Sequence, residues 1–289
     1  PPPPPPPPPF FFQPPPPNPR FSGLVGSEMC IRDSYYIDAF TDKLFSGNPA
    51  AVIFSDISDS TLMQNIAAEN NLSETAFIRE DEGNYHIRWF SPHCEIDLCG
   101  HATLASAYVF FNYISPDEKI FSVHSLKNGI LTVSQNDDLL LLDFPKDQID
   151  VFDDISSIES AIGVKPLEAF KGRDDVLAIL DSEDTIKNLN VDFESLNKLD
   201  ARGLIVSSEG TNHDFVSRFF APSTGVDEDP VTGSAHTTLT PYWNQKLNKT
   251  NLNAAQLSRR GGVLYCEDKG DRVIIGGKAT QYLKGNIFI

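Results

Sequence analysis

Apolar and polar residues alternate over short stretches along most of the chain, which predicts strands punctuated by a few helices. Residues 36–40 and 50–54 read as the first two strands, separated by the turn chemistry of Ser46-Gly47-Asn48-Pro49. Leu62, Met63, Ile66 and Ala67 fall at helical spacing behind a cap at Asp59 or Ser60. Residues 72–78 and 85–90 form a predicted hairpin across the polar turn Asp81-Glu82-Gly83-Asn84. After a loop over 91–98, a helical run from about Gly100 to Tyr113 carries no charged residue. A helix without a polar face is surrounded by protein, so a sheet curled around a central helix is expected. Strands at 120–125, 129–134 and 139–144 complete that lobe, and Pro145 ends the last of them.

The second half opens on an acidic, weakly patterned stretch over 147–159. Buried strands are expected at 176–180 and 203–207, with a helix over 193–199. A motif then returns. Arg88-Trp89-Phe90-Ser91-Pro92 is echoed by Arg218-Phe219-Phe220-Ala221-Pro222, and each is followed by an acidic loop and a small-residue helix start. Those starts are Cys99-Gly100-His101-Ala102-Thr103 and Thr232-Gly233-Ser234-Ala235-His236, 12 residues from arginine to glycine in the first copy and 15 in the second. A strand–proline–acidic loop–glycine–helix unit that occurs twice predicts two lobes related by a pseudo-twofold axis. Pro241 is the misfit, because it should kink or end the second helix.

The first 34 residues break the pattern and hold 14 of the 22 prolines, including an unbroken run from Pro1 to Pro9. A polyproline tract has a solvated backbone and joins no core, so residues 1–34 are expected to be a disordered leader. Their last eight residues, Ser27-Glu28-Met29-Cys30-Ile31-Arg32-Asp33-Ser34, resemble translated adaptor sequence, and an artefactual origin is expected. The rest divides into a first lobe over 35–145 and a second over 146–279, with a final strand near 280–289 able to return to the first lobe. A formal net charge of −17 repels phosphate backbones and acidic membranes, which excludes nucleic acid as a partner class. No apolar run approaches the roughly 20 residues of a membrane span. Cys94, Cys99 and Cys266 form no regular framework, which fits a reducing cytoplasm. Zinc-type spacings and nucleotide-binding glycine loops are absent, so neither a metal nor a cofactor is expected.

Candidate chemistry gathers at the two helix starts. Their glycines allow close backbone approach, and first-turn N–H groups have no intrahelical partner. Facing each other across a cleft, such ends would cradle a carboxylate within an otherwise acidic protein. Glu74, in Leu72-Ser73-Glu74-Thr75-Ala76, shares a strand face with Ala76 and Ile78. Partial desolvation there would favour its protonated form, as an acid/base catalyst working near neutral pH requires. An exposed strand glutamate is the plainer alternative. His101 could hydrogen-bond substrate, relay a proton or cap its helix. Asp229 could orient His101, bind a substrate amine or serve helix capping, and Ser234 could bind a carboxylate or cap.

Together these segments resemble the PhzF-like, phenazine-biosynthesis family of isomerases, within the diaminopimelate-epimerase fold group. The matching stretches are Tyr36-Ile37-Asp38-Ala39-Phe40-Thr41, Gly47-Asn48-Pro49-Ala50-Ala51-Val52, Leu72-Ser73-Glu74-Thr75-Ala76-Phe77 and Cys99-Gly100-His101-Ala102-Thr103. They continue with Glu228-Asp229-Pro230-Val231-Thr232-Gly233-Ser234-Ala235 and Gln256-Leu257-Ser258-Arg259-Arg260-Gly261-Gly262. The resemblance implies an α+β fold of two pseudo-symmetric lobes, each a curved, barrel-like mixed sheet around a central helix. It also implies a cofactor-free site between the lobes, and a homodimer. Glu74 would be the proton shuttle, assisted by His101 and Asp229, with Ser73, Gly100, Gly233 and Ser234 at the substrate. The characterised reaction moves a proton suprafacially within a cyclic amino-hydroxy acid, 2,3-dihydro-3-hydroxyanthranilate. Epimerases of this fold use two thiols, whereas here Cys99 faces Thr232 in the second motif, and a hydroxyl is far less acidic than a thiol. The alternatives are a Cys99-dependent epimerase or dehydratase, or a non-catalytic protein that binds small carboxylates.

Overall fold

A computed structural model describes residues 31–289. The first half contains β1 (Ile31–Ala39), β2 (Asn48–Phe54), α1 (Ser60–Asn70), β3 (Glu74–Asp81), β4 (Asn84–Phe90), β5 (Glu95–Ile96) and α2 (Gly100–Val109), then β6 (Ile120–Ser125), β7 (Gly129–Asn136) and β8 (Leu139–Pro145). A crossing segment holds β9 (Asp150–Val151) and α3 (Ile155–Ile162). The second half contains β10 (Glu168–Lys171), β11 (Asp175–Ile179), α4 (Glu183–Lys187), α5 (Phe193–Leu196), β12 (Gly203–Glu209), β13 (Phe215–Ala221), β14 (Val226–Asp229) and α6 (Ala235–Leu247). It closes with β15 (Asn251–Gln256), β16 (Gly262–Asp268), β17 (Arg272–Gly277) and β18 (Ala279–Phe288).

Strand pairing carries the pseudo-symmetry. Hydrogen bonds run β18–β1–β2–β3–β4–β6–β7–β8 in the first half and β9–β10–β11–β12–β13–β15–β16–β17 in the second. In both series only the third and fifth pairings are parallel. The antiparallel β8–β17 pair joins the two into one open sheet. Each series curls around its own helix, α2 or α6. Leu104, Ala105, Ala107 and Val109 of α2 and Leu239 and Trp243 of α6 are buried in one continuous core. The uncharged run thus lies inside a sheet, as its lack of a polar face requires. It continues past Val109 as a wider turn over Phe110–Ile114. No described helix is long and apolar enough to cross a membrane.

The repeated arginines have a common structural task. Arg88 forks onto Glu95 with bonds of 2.7 Å and 2.7 Å, and Arg218 forks onto Glu228 with bonds of 2.6 Å and 3.0 Å. Each guanidinium lies over the second aromatic of its motif, 5.1 Å from Phe90 and 4.8 Å from Phe220. Arginine and acid are 7 residues apart in the first copy and 10 in the second. Acid to glycine is five residues in both copies, so the extra three residues of the second copy lie before its acid. That interval contains the short helical turn Pro222–Thr224.

Several expectations change. Strand β1 begins at Ile31, so residues 31–34 are not leader: they pair with residues 285–288, Ser34 is buried and Arg32 bonds Asp56 at 2.7 Å. The remainder of the expected leader, residues 1–30, lies outside the described residues. Asp59, not Ser60, caps α1, accepting from the N–H groups of Thr61 and Leu62. The weakly patterned stretch contains β9 and α3, with Asp154 as the cap and Gly163 in a left-handed conformation at the end. The helix expected over 193–199 stops at Leu196. Pro241 does not end α6. A proline there leaves the carbonyl of Thr237 without its helical donor, and the N–H of Asp147 occupies that acceptor at 3.3 Å.

His236, in the first turn of α6, is fully buried with Nδ1 donating to the Thr232 carbonyl at 2.9 Å. Burial pushes its imidazole down to about 4. The neutral ring therefore contributes stability that is present above about pH 6.5 and lost as pH falls toward 4. Urea denaturation should give an unfolding free energy smaller at pH 5 than at pH 7, with about 2 kcal/mol of the difference due to this residue. His236→Phe should remove that share of the pH dependence. An unchanged pH slope in the variant would exclude the assignment.

Candidate active site

Parallel pairing of β2 with β3 matches Ala50 to Glu74, which brings the starts of both strands to one end of the sheet. Asn48 opens β2 and Glu74 opens β3. The start of α2 supplies Gly100 and His101 at the same end, and the end of β14 supplies Asp229 from the second half. Helix α6 begins immediately after Gly233 and Ser234. A Cβ placed on Gly100 would lie 4.0 Å from the Cα of Gly233. The two glycine turns therefore lie against each other. A cavity of about 230 Å³ opens beside this contact. Ser73, Glu74, Gly100, His101, Asp229, Gly233 and Ser234 all line it.

Glu74 is not the isolated carboxylate on an apolar face that the strand pattern suggests. Its Oε2 lies 3.0 Å from Nε2 of His101, with 16% of the glutamate side chain and 7% of the histidine side chain exposed. The approach is close but poorly angled for a hydrogen bond, and Oε2 is buried without an aligned donor among the described residues. One lone pair of that oxygen is thus unclaimed by the protein. Asp229 does not touch His101 directly. Asn48 stands between them, fully buried, with Nδ2 donating to Asp229 Oδ1 at 2.8 Å and to the Val231 carbonyl at 2.9 Å. Those two acceptors fix which way the amide points. Nδ2 also lies 3.2 Å from His101 Nδ1, which places the hydrogen of a neutral ring on Nε2, toward Glu74.

Electrostatics follow from this packing. Burial alone would lower the His101 imidazole, but the Cys99 sulfur and the Glu74 carboxylate outweigh it and hold the ring well above its ordinary range. Burial pushes the Asp229 carboxyl up, against the downward pull of His101 and the hydroxyl of Thr232. Cys99 is buried at the start of α2, with Sγ 3.5 Å from His101 Nδ1, and burial also pushes its thiol up. The Thr232 hydroxyl donates to Asp229 Oδ2. Glu74, Cys99 and His101 are also the described donor set compact enough to hold a metal ion, their ligand atoms all within 4.8 Å of one another.

Composition and spacing did not reveal Asn48, Gln256 or Arg260. Gln256 bonds the Asp229 carbonyl at 2.8 Å and the Thr232 N–H at 2.8 Å, which fixes the loop between β14 and α6. Arg260 donates to Asp38 at 2.7 Å, the Gly47 carbonyl at 2.7 Å and the Ser46 carbonyl at 2.9 Å. It thereby holds the turn that delivers Asn48. Gly47 has φ +69°, and a Cβ there would lie 2.2 Å from the Ala39 carbonyl oxygen, so the turn accepts only glycine. The signal available in the sequence was the Gly47-Asn48-Pro49 string itself, an asparagine in turn chemistry leading into a buried strand.

The family model "Phenazine biosynthesis-like protein" matches residues 37–285. A Pseudomonas aeruginosa protein named as an uncharacterized isomerase is 46% identical over 256 residues, which cover 88% of this chain and 97% of the relative. A similarly named isomerase of Halalkalibacterium halodurans is 44% identical, covering 88% of this chain and 98% of that one. The crystal structure of a PhzF-family protein from Enterococcus faecalis superposes with a TM-score of 0.87 at 45% identity, covering 90% of this chain and 100% of that chain. A hydroxyproline epimerase from Agrobacterium vitis shares the fold at a TM-score of 0.58 and 8% identity, covering 90% of this chain and 93% of that one. With lobes of the epimerase type and isomerases among its relatives, the chain belongs to the phenazine biosynthesis-like isomerase family.

Proposed function

We propose that the protein is a cofactor-independent isomerase that moves a proton between two atoms of a small cyclic amino or hydroxy carboxylic acid, with Glu74 as the shuttle. The observation that carries this is Glu74, which lines the cavity with 16% of its side chain exposed while its Oε2 is held inward, 3.0 Å from His101 Nε2. A carboxylate oxygen with a free lone pair accepts a proton from one carbon. The same group, now a carboxylic acid, returns that proton to a second atom on the same face of the ring. No electrons leave the substrate, so the chemistry calls for no redox group.

His101 stands beside the shuttle. Its ring, 3.0 Å from the carboxylate, is placed to hold Glu74 and to relay a proton. Asp229, pushed up by burial, is suited to hold a proton or to accept a bond from a substrate amine or hydroxyl. Gly100, Gly233 and Ser234 offer backbone N–H groups at the two helix starts for the substrate carboxylate. Two-thiol epimerisation is disfavoured because Thr232 occupies the second position and its hydroxyl is committed to Asp229. A homodimer accompanies this proposal on the strength of the family resemblance, and a cytoplasmic location on that of the cysteine usage; light scattering on the purified protein checks the dimer.

Deuterium uptake from D₂O into a panel of cyclic and aromatic amino acids, followed by proton NMR, tests the shuttle. Glu74→Gln should lower the exchange rate by about 10²- to 10⁴-fold, the range for loss of a general acid/base. Exchange at the wild-type rate in this variant would end the assignment. Cys99→Ala should keep exchange within a few-fold of wild type, whereas its loss there, with iodoacetamide inactivation of the parent protein, would transfer the chemistry to the thiol.

A further inference from the structure

The two halves do not contribute equally to the cavity. Thr75 pairs with Phe90 in the first half, and Leu204 pairs with Phe220 in the second. Phe90 and Phe220 are equivalent residues of the repeated motif, so Thr75 corresponds to Leu204 and the dipeptide Ser73-Glu74 to Arg202-Gly203. One half has a serine followed by a carboxylate, and the other has a guanidinium followed by glycine. Arg202 is the only lysine or arginine among the residues lining this cavity.

Its position is fixed before any ligand arrives. Nε donates to Asp175 Oδ1 at 2.9 Å and Nη2 bonds Asp175 Oδ2, forming a fork on a carboxylate that is itself buried. Nη2 also donates to the Ser234 hydroxyl at 3.2 Å. The guanidinium sits 5.5 Å from the Phe219 ring centroid. Gly203 is what admits that ring, since a Cβ there would lie 2.5 Å from Phe219 Cζ. Nη1 makes no hydrogen bond among the described residues, so two N–H donors of a rigid cation remain free beside Ser234. A forked, stacked arginine loses little freedom when it binds a second carboxylate, and its planar donors suit one.

We propose that Arg202 is the specificity-determining residue of the site: its Nη1 binds the substrate carboxylate on the second-half side of the cavity and so directs the reacting carbon toward Glu74. This rests on the isomerase proposal for the identity of the reaction but not for the binding step. Without a cation on that side, a carboxylate would enter a cavity lined by Glu74 and Asp229. The broken symmetry thus gives the substrate one orientation, with its anionic end at Arg202 and its proton-bearing end at Glu74.

Isothermal titration of anthranilate against its neutral amide, anthranilamide, reads this directly. Wild type and Glu74→Gln should both bind the acid at least about tenfold more tightly than the amide. Arg202→Gln should bind the two alike. Because that change strands the buried Asp175 charge, the paired variant D175N/R202Q is measured alongside, with circular dichroism to establish folding, and should also lose the preference. Retention of the preference in the folded paired variant, or no preference for the acid in wild type, overturns the proposal. A wild type that prefers the acid yet catalyses no deuterium exchange leaves this assignment standing and rejects only the isomerase.

Discussion

The amide of Asn48 is the interaction on which the site depends. It lies between His101 of one half and Asp229 of the other, contacting both and the Val231 carbonyl from a single nitrogen. Its two hydrogens go to Asp229 Oδ1 and the Val231 carbonyl, so its 3.2 Å approach to the His101 ring is one of packing rather than bonding. Arg260 fixes the turn before it, and Gln256 fixes the loop that carries Asp229. Removing an interaction of this kind from a buried network typically costs more than the net value of a hydrogen bond, because the remaining groups are left desolvated and unpaired.

The pseudo-twofold explains both what is repeated and what differs. Repeated are the arginine forks, the parallel pairings and the glycine-led helices, all of which shape the cleft. The differences are chemical: Glu74 against Gly203, Ser73 against Arg202, Cys99 against Thr232. A symmetric cavity would bind a ligand in two orientations with equal ease. An acid present only in the first half and a cation present only in the second, at adjacent positions of the repeat, remove that ambiguity, and the open β8–β17 join keeps the two halves in fixed register.

Much of this was legible in the chain. The uncharged run after Cys99 required a surrounding sheet, and the recurrence of arginine, aromatics, proline and glycine required a second copy. The contact of Gly100 with Gly233 followed from that symmetry. What spacing could not supply were partners far apart in sequence. Asn48 and Asp229 are separated by 181 residues, and Arg260 and Asp38 by 222. For Glu74 the strand pattern left a partly desolvated acid and an exposed one both open, and its close pairing with His101 depends on how α2 packs against β3. Pro241 misled because its missing donor is replaced from Asp147, on a remote segment.

The central claim is that His101 and Asp229 work as one unit through Asn48. A double-mutant cycle on deuterium exchange, with His101→Gln, Asp229→Asn and the two combined, repeated in an Asn48→Ala background, measures that coupling directly. Coupled groups predict a double variant little slower than the worse single one. Losses that multiply, so that the free-energy effects simply add, would contradict the account.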